Sequence, residues 1–231
     1  MRARATATEL MDDPGVDPNL LAGNFRDIER ANRWFGGCAR IAREVFKRGA
    51  GSLLDVGCGS ADVARALVRE ARRRGRELDV VCLDVSEKVL AIARASSGGE
   101  PSIRFVCADA TELPFANAAF DVVICNLTLH HFDPPEAVRA LREMRRVARF
   151  TPLVCDLRRS MLALAATRLF ASLFARNPLT KHDAPLSARR AYTPGEAAEL
   201  ARAAGWHAPT VRRSSFGRMM LSDEASGSAD G

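Results

Sequence analysis

A glycine turn with a carboxylate on either side is the first feature of the sequence that could do chemistry. Residues 53–56 form an apolar run that contains Asp55, the run ends at Gly57-Cys58-Gly59, and a helical pattern follows from Asp62. Glycine has no Cβ, so this turn can adopt a positive φ and lets a ligand approach the backbone. The free N–H groups of the helix start point toward the same place. Two carboxylates beside the turn disfavour a phosphate and favour a ligand that carries positive charge.

Three more polar side chains stand where later apolar runs end. They are Asp84, Asp109 and Asn126, and Asp109 is followed by Ala110. Ligands of doubly wound sheets bind at the carboxyl ends of the strands. A carboxylate at position 84 can accept hydrogen bonds from both hydroxyls of a ribose. One strand-end aspartate alone is more often a helix cap, but three such residues in phase with the glycine turn predict a nucleoside-type ligand.

The elements that must position these residues alternate regularly between strand and helix. The apolar runs are continuous, as expected for parallel strands covered by helices on both faces. The pattern predicts an α/β fold: a Rossmann-like, seven-stranded, doubly wound sheet, mostly parallel, with a C-terminal antiparallel hairpin. We predict strands at 52–56, 79–83, 103–108, 120–126 and 152–155, helices at 62–74, 86–95, 135–149, 161–175 and 193–205, and a final hairpin within 206–221.

The rest of the chain is interpreted as one domain with flexible ends. Residues 1–18 contain Asp-Asp-Pro-Gly and Asp-Pro, which indicate a flexible lead-in. The domain itself is predicted over 19–221 and includes a leading helical segment at 19–48. An insert is predicted at 157–192, irregular from residue 177. The small, polar residues 222–231 predict a disordered tail.

Composition excludes several classes of function. The 231 residues are 47% hydrophobic, enough for one core, and carry a net charge of +6 that comes mostly from scattered arginines, so we expect no nucleic-acid partner. The six cysteines form no C-x-x-C pair, which indicates no metal site and reduced, buried thiols in a cytoplasm. No signal peptide is visible, and the apolar helix at 161–175 is too short for stable membrane insertion.

The motif Asp55-Val56-Gly57-Cys58-Gly59 resembles the first motif of class I S-adenosylmethionine-dependent methyltransferases, an acidic residue followed by G-x-G-x-G. Ala61 stands where the third glycine is usual. The dinucleotide fingerprint G-x-G-x-x-G fails, because Asp62 takes the place of its last glycine. The resemblance covers roughly residues 24–219 and is closest to the small-molecule branch that includes the ubiquinone/menaquinone C-methyltransferases. Its other matching pieces are Asp109-Ala110, Leu113-Pro114-Phe115, Phe120-Asp121-Val122-Val123 and Leu129-His130-His131-Phe132.

The resemblance implies that S-adenosylmethionine is the cofactor and that the segment at 19–48 caps its cleft. An acid at position 109 would accept a hydrogen bond from the adenine amino group, and the next backbone N–H would donate one to the adenine ring. The residues assigned to the cofactor are Asp55, Gly57, Cys58, Gly59, Asp84, Val85, Asp109, Ala110 and Asn126.

Two histidines just past the fourth strand are the first candidates for catalysis. A phenol has a pKa near ~10, so an imidazole with a pKa of about 6.5 at His130 or His131 could take its proton as the oxygen attacks. His182, next to Asp183, is a further candidate base if its loop folds over the cleft. The residues expected to line the acceptor site are Arg33, Trp34, Asp156, Arg158 and Tyr192.

The apolar helix at 161–175 fits either a cover over a lipophilic acceptor or a surface buried in a homodimer. We favour O-methylation of a phenolic or polyketide-like small molecule, with C-methylation of a quinone precursor as the alternative. A cofactor-binding accessory protein without turnover stays open because of Ala61. A nucleic-acid amino-methylase is disfavoured, since Asn126-Leu127-Thr128-Leu129 replaces the [N/D]-P-P-aromatic turn that it needs, and a nicotinamide-dependent reductase is disfavoured by Asp62.

Overall fold

One sheet organises the computed structural model, which describes residues 3–34, 37–214 and 217–223. Its strands within that part of the chain are β1 (Ser52–Val56), β2 (Asp79–Asp84), β3 (Ile103–Cys107), β4 (Phe120–Asn126), β5 (Ala148–Leu157), β6 (Pro209–Arg213) and β7 (Arg218–Asp223). They lie in the order β3-β2-β1-β4-β5-β7-β6. The first five strands are parallel, whereas β7 is antiparallel to both β5 and β6. The predicted α/β architecture and its C-terminal hairpin are confirmed.

Helices cover both faces of the sheet. They are α1 (Pro18–Trp34), α2 (Gly37–Lys47), α3 (Asp62–Arg73), α4 (Glu87–Ser97), α5 (Pro134–Val147), α6 (Met161–Leu173), α7 (Pro178–Arg190) and α8 (Pro194–Ala203). Successive strand residues point to opposite faces, so the buried side chains divide into two layers. Leu53 packs in the layer of α2, α3 and α4, while Leu54 packs in the layer of α5 and α8.

The helix starts follow from local sequence. Thr193 and Glu196 form a capping box at the start of α8, as the sequence predicts. Asp133 and Glu136 form another at the start of α5, and the oxygen of Ser86 accepts a bond from the Val89 N–H at the start of α4. These caps fix where each helix begins relative to the strand before it.

The segment before α1 differs from the predicted flexible lead-in, since it carries specific hydrogen bonds to the turn after β4 and to α7. The guanidinium of Arg4 donates to the backbone carbonyl of His130 at 2.7 Å. The carboxylate of Asp183 accepts from the N–H groups of Leu10 and Met11 at 2.9 and 3.0 Å. These partners lie far away in the sequence, which is why local composition does not reveal them.

The insert is also more regular than predicted, because residues 178–190 form α7. The side chain of Asn177 accepts from the Leu179 N–H, Pro178 occupies the first turn, and the carboxylate of Asp27 on α1 accepts the Asn177 N–H. Pro185 lies inside this helix and weakens its sequence signal. Tertiary contacts therefore outweigh poor local propensity here.

The ends of the predicted ranges shift in several places. Ser222 and Asp223, expected in the disordered tail, belong to β7, whose partner is β5. The remainder of that tail, like the glycine break predicted at Gly36, lies outside the described residues. Cys107 is exposed, although the sequence places it in a core strand. Within the described ranges, no helix is both long and apolar enough to cross a membrane.

Gly217 tests how tightly the last strand is held against α6. Its φ is +74°, and a Cβ there would lie 2.5 Å from the Cα of Ala163. Gly217→Ala should lower the free energy of unfolding by roughly 2–4 kcal/mol, from the left-handed conformation and overpacking together. Chemical denaturation measures this change. Gly195→Ala is the matched control, because a Cβ at that position meets nothing within 4 Å; equal losses in the two variants would contradict this explanation.

Candidate functional site

A cavity of about 770 Å³ opens at the carboxyl edge of β1, β2 and β4. Its floor is the glycine turn after β1, and its other walls come from the segment before α1, from α1 itself, and from α6 and α7. This size is sufficient for a small-molecule ligand together with a second reactant. The location is the one at which doubly wound sheets bind ligands.

The glycine turn has the backbone geometry that its sequence predicts. Gly57 has a φ of +69°, and a Cβ built there would lie 2.3 Å from the Cγ2 atom of Thr128. Gly59 has a φ of +53°, and its Cβ would meet the ring of Phe25 at 2.9 Å. Ala61 also has a positive φ, 59°, at the start of α3, so alanine takes a strained conformation there in place of the usual third glycine.

Three carboxylates surround this turn with few compensating cations. Burial, together with the nearby charges of Asp62 and Asp84, raises the pKa of Asp55 to about 8. Burial also raises the pKa values of Asp62 and Asp84, although hydrogen bonds from Asn32, Ser86 and Gly59 act in the opposite direction. The Oδ2 atom of Asp55 has no hydrogen-bond partner among the described residues. The turn is therefore complementary to a cation.

The residues at the other strand ends face the same cavity. Asp84 accepts from the Gly59 N–H at 3.3 Å, while Asp109 is exposed and accepts from Thr111. The Oδ1 atom of Asn126 is buried without a partner in the described structure. All nine residues that the resemblance assigns to the cofactor line this cavity: Asp55, Gly57, Cys58, Gly59, Asp84, Val85, Asp109, Ala110 and Asn126.

His130 lies on the cavity wall in a fixed orientation. The carboxylate of Asp156 accepts its backbone N–H at 3.0 Å and contacts its Nδ1 atom at 2.7 Å. Because a carboxylate only accepts hydrogen bonds, this contact places a proton on Nδ1. In the neutral tautomer, Nε2 then carries the lone pair. That Nε2 atom lies 3.5 Å from Oε1 of Glu9, and both side chains are nearly fully buried.

His131 is oriented in the same way from the other side. Its Nδ1 atom contacts the carboxylate of Asp12 at 3.0 Å, and its Nε2 atom lies 3.9 Å from Oε2 of Glu9. Burial lowers the pKa of His131, but the bond to Asp12 and the charges of Glu9 and Asp12 outweigh it and raise the pKa to about 9. The centroids of the two imidazole rings are 4.5 Å apart.

Several residues predicted to be in the site lie elsewhere. Asp156 is behind His130 and acts on that ring instead of facing the cavity. The side chain of His182 is 53% exposed and lies outside the cavity wall, because α7 turns it toward solvent. Neither Arg33 nor Arg158 reaches the wall.

The two predicted aromatic contacts with the acceptor are also displaced from the cavity. Tyr192 is buried beneath the wall, where its hydroxyl donates to the carbonyl of Phe132 at 2.7 Å. Trp34 is 50% exposed and packs edge-on against Phe170 and Phe174. Both positions follow from helix directions that the sequence pattern does not specify.

Sequence reasoning missed the polar residues that long-range packing brings to the wall. Glu9 and Asp12 come from the segment taken as flexible. Asn32 on α1 donates to Asp62 at 2.9 Å and accepts from Arg218 of β7 at 3.0 Å. The only signal at Asn32 was a polar residue within the amphipathic pattern of α1, and no feature of the neighbouring sequence marks Glu9.

Comparison with known proteins finds similarity to methyltransferases. Residues 53–151 match a family described as a methyltransferase domain. The chain is 32% identical over 99 residues to the ubiquinone/menaquinone biosynthesis C-methyltransferase UbiE of Rickettsia prowazekii, a match that covers 42% of this chain and 39% of that relative. It is 29% identical over 135 residues to a demethylmenaquinone methyltransferase of Staphylococcus aureus, covering 58% of this chain and 54% of the relative.

The fold agrees with that match. Human N-acetylserotonin methyltransferase, solved in complex with S-adenosylmethionine, superposes with a TM-score of 0.66 at 14% identity, covering 89% of this chain and 56% of that one. At this identity the likeness concerns the fold. The chain spans about half the length of the curated relatives that it matches.

The buried carboxyl of Asp55 predicts an unusual dependence of stability on pH. The unfolded chain loses this proton near pH ~4, whereas the folded chain keeps it to a pH of about 8. Between these values the unfolded state binds fewer protons, so stability falls as the pH rises. Asp55→Asn cannot ionise, so its stability relative to the parent should increase across this window by roughly 1.4 kcal/mol for each pH unit. Denaturant melts of ligand-free protein measure the difference.

Asp121→Asn is the control of opposite sign on the same sheet. Hydrogen bonds from Gly51 and Ser52 outweigh partial burial and lower the pKa of Asp121. Its contribution to stability is present at neutral pH and is lost as the pH falls through the lowered pKa, so this variant should be less stable than the parent at neutral pH. Parallel pH profiles for the Asp55 variant and the parent would contradict the assignment of a buried, neutral carboxyl.

Proposed function

We propose that this chain is a class I S-adenosylmethionine-dependent methyltransferase that methylates an oxygen atom of a small phenolic or polyketide-like acceptor; the match to a methyltransferase domain and to methyltransferase relatives supports this. The observation that carries this proposal is that the acidic glycine turn and the oriented imidazole of His130 line the same cavity. The first suits the cofactor and the second suits a weakly acidic acceptor.

The residues of the glycine turn fit the cofactor. S-adenosylmethionine supplies a methyl group that its sulfonium already activates. The buried carboxyl of Asp55, which has an unpartnered oxygen, favours a cation, and the unpartnered Oδ1 of Asn126 adds an acceptor in the same cavity. We assign the ribose hydroxyls to Asp84 and the adenine amino group to Asp109, both on the cavity wall. Gly57 and Gly59 keep the turn free of Cβ atoms, so that the ligand can approach the backbone.

We assign activation of the acceptor to His130. The bond from Nδ1 to Asp156 fixes the ring and stabilises the imidazolium that forms when Nε2 takes a proton from a phenol. Alignment of the acceptor oxygen with the methyl carbon supplies much of the remaining rate. His131 sits beside His130 and helps to set the charge at this end of the cavity.

The walls near His130 support a partly apolar acceptor. Met11, Ile28, Leu157 and Phe170 contribute to the cavity together with the carboxylate of Glu9. A phenol or polyketide presents both an apolar body and a hydrogen-bond donor, which such a wall accommodates. The many carboxylates disfavour an anionic polymer, which supports our expectation that nucleic acid is not a partner.

The outer face of α6 differs from a simple cover over the acceptor. Most of its large apolar side chains point to solvent, and only Ala166, Thr167 and Phe170 reach the cavity. The exposed side chains support the homodimer as a proposal. They are Met161, Leu162, Leu169 and Leu173, with Phe174 at the helix end.

The names of the relatives support one second candidate, C-methylation of a quinone precursor. A phenolate reacts at oxygen or at a ring carbon, so the same imidazole serves both reactions. Mass spectrometry combined with NMR of the product separates an O-methyl from a C-methyl group.

Removing the charge of Asp84 should weaken the cofactor. Asp84→Asn keeps the shape of the side chain but loses the charged acceptor for the ribose hydroxyls, so the Kd for S-adenosylmethionine should rise about 10-fold or more, since hydrogen bonds to charged groups contribute roughly 1.5–3 kcal/mol. Isothermal titration measures it. Asp79→Asn, at the exposed first residue of the same strand, is the control. Unchanged affinity in both variants would contradict the assignment of the ribose hydroxyls to Asp84.

Incubation with labelled S-adenosylmethionine and a panel of phenols and quinols should transfer label to at least one acceptor. His130→Asn should then lower kcat by about 10²–10⁴-fold with little change in cofactor Kd, because general-base catalysis is lost.

His182→Asn is the matched control for this experiment, since it removes an imidazole that also contacts a carboxylate but lies outside the wall. Its kcat should equal that of the parent. Cofactor binding without transfer to any small molecule, or transfer only to RNA or protein, would overturn the proposed function.

A further inference from the structure

Three potential ligand atoms converge at the acceptor end of the cavity. They are the carboxylate of Glu9 and the Nε2 atoms of His130 and His131, and one ligand atom from each lies within 4.8 Å of the others. We propose that these three residues bind a divalent transition-metal ion. The sequence gives no metal-ligand spacing, since Glu9 comes from the segment before α1 and reaches the histidines only through the fold.

The distances are close to those of a metal centre. Zinc-type ions bind imidazole nitrogen and carboxylate oxygen at about 2.0–2.2 Å, which puts tetrahedral ligands roughly 3.4 Å apart. Nε2 of His130 lies 3.5 Å from one Glu9 oxygen, and Nε2 of His131 lies 3.9 Å from the other. The three ligand atoms lie within 4.8 Å of one another, so the side chains must move closer together to surround one ion.

Each ligand is also held from behind by a hydrogen bond. Nδ1 of His130 contacts Asp156 at 2.7 Å, and Nδ1 of His131 contacts Asp12 at 3.0 Å. The hydroxyl of Ser187 donates to Oε1 of Glu9 at 2.8 Å. Carboxylates on the far nitrogen of a metal-binding histidine fix its tautomer and increase its basicity as a ligand. Both histidines have such a carboxylate on Nδ1, and in each the Nε2 atom lies on the side of Glu9.

The charges around the cluster favour a cation. Glu9, Asp12 and Asp156 bring three carboxylates to two imidazoles. The cations that oppose binding are Arg190 and Arg4. Both guanidinium groups donate to backbone carbonyls beside the cluster, including that of His130, and Arg4 also pairs with Asp133.

The donor set determines the class of ion. Two imidazoles and one carboxylate suit Zn²⁺, Fe²⁺, Mn²⁺ or Co²⁺, whereas Mg²⁺ and Ca²⁺ prefer oxygen ligands. Three protein ligands leave positions open toward the cavity, as in catalytic metal sites. The consequence for catalysis rests on the proposed function: an acceptor oxygen on the open position would have a lowered pKa. In that state the ion takes over the role assigned above to the His130 imidazole.

Binding is tested on the full chain without any acceptor, with Co²⁺ as the probe. Titration should reach one equivalent and produce visible d–d absorption bands that EDTA removes. Glu9→Gln and His131→Asn should abolish the bands, and Asp12→Asn should weaken binding about 10–100-fold through loss of the outer hydrogen bond. His182→Asn, the matched control outside the cluster, should bind as the parent does. Circular dichroism and S-adenosylmethionine affinity confirm that each variant is folded.

Two results would overturn the metal site. One is the absence of Co²⁺ bands at millimolar metal, and the other is a spectrum that Glu9→Gln and His131→Asn leave unchanged. The methyl-transfer assay with and without EDTA separates this outcome from failure of the proposed function. If transfer persists in EDTA and no Co²⁺ bands appear, the methyltransferase proposal stands and the metal site is wrong. If Co²⁺ bands appear without transfer to any phenol or quinol, the metal site stands and the proposed acceptor is wrong.

Discussion

The structure depends on the concentration of negative charge at one edge of a parallel sheet. Parallel strands end at the same edge, so Asp55 and Asp84 must lie close together once the strands that carry them are neighbours. Burial would expel such charges unless they were neutralised or bound to a cation. The raised pKa of Asp55 shows the first response, and a bound sulfonium would provide the second. In the proposed cofactor site, a cationic ligand would favour the ionised form of carboxyls that folding holds in a buried position.

Elsewhere on the cavity wall, the fold holds the imidazole of His130 in a fixed orientation. Asp156 is the last residue but one of β5, so its carboxylate is as fixed as the sheet. It contacts both the backbone and the ring of His130, which removes rotation of that ring. A group positioned this way loses little entropy when the acceptor binds. The segment before α1 then closes this end and brings Glu9 and Asp12 to the histidines.

The two ends of the cavity were predictable to different degrees. Gly57 and Gly59 could be predicted because the sequence shows two glycines directly after a strand. The structure gives the reason for them, since neighbouring side chains leave no room for a Cβ at either position. Asp84, Asp109 and Asn126 were predictable because a strand end fixes which edge of the sheet a residue occupies. His182 and Tyr192 failed as site residues because a helix or loop position does not fix the direction of a side chain. Asp156 was placed on the right strand but assigned to the acceptor, when in the structure it supports His130.

The sequence by itself determined the order of strands and helices, the glycine turn and the strand-end carboxylates. These depend on local periodicity and on the lack of a side chain at two positions, which neighbouring residues alone reveal. Only the tertiary structure decided that the chain before α1 crosses the acceptor end, that the residues around Pro185 form α7, and that Glu9 meets His130 and His131. Such contacts join residues more than a hundred positions apart, and their energy comes from packing and paired charges that no short stretch of sequence contains.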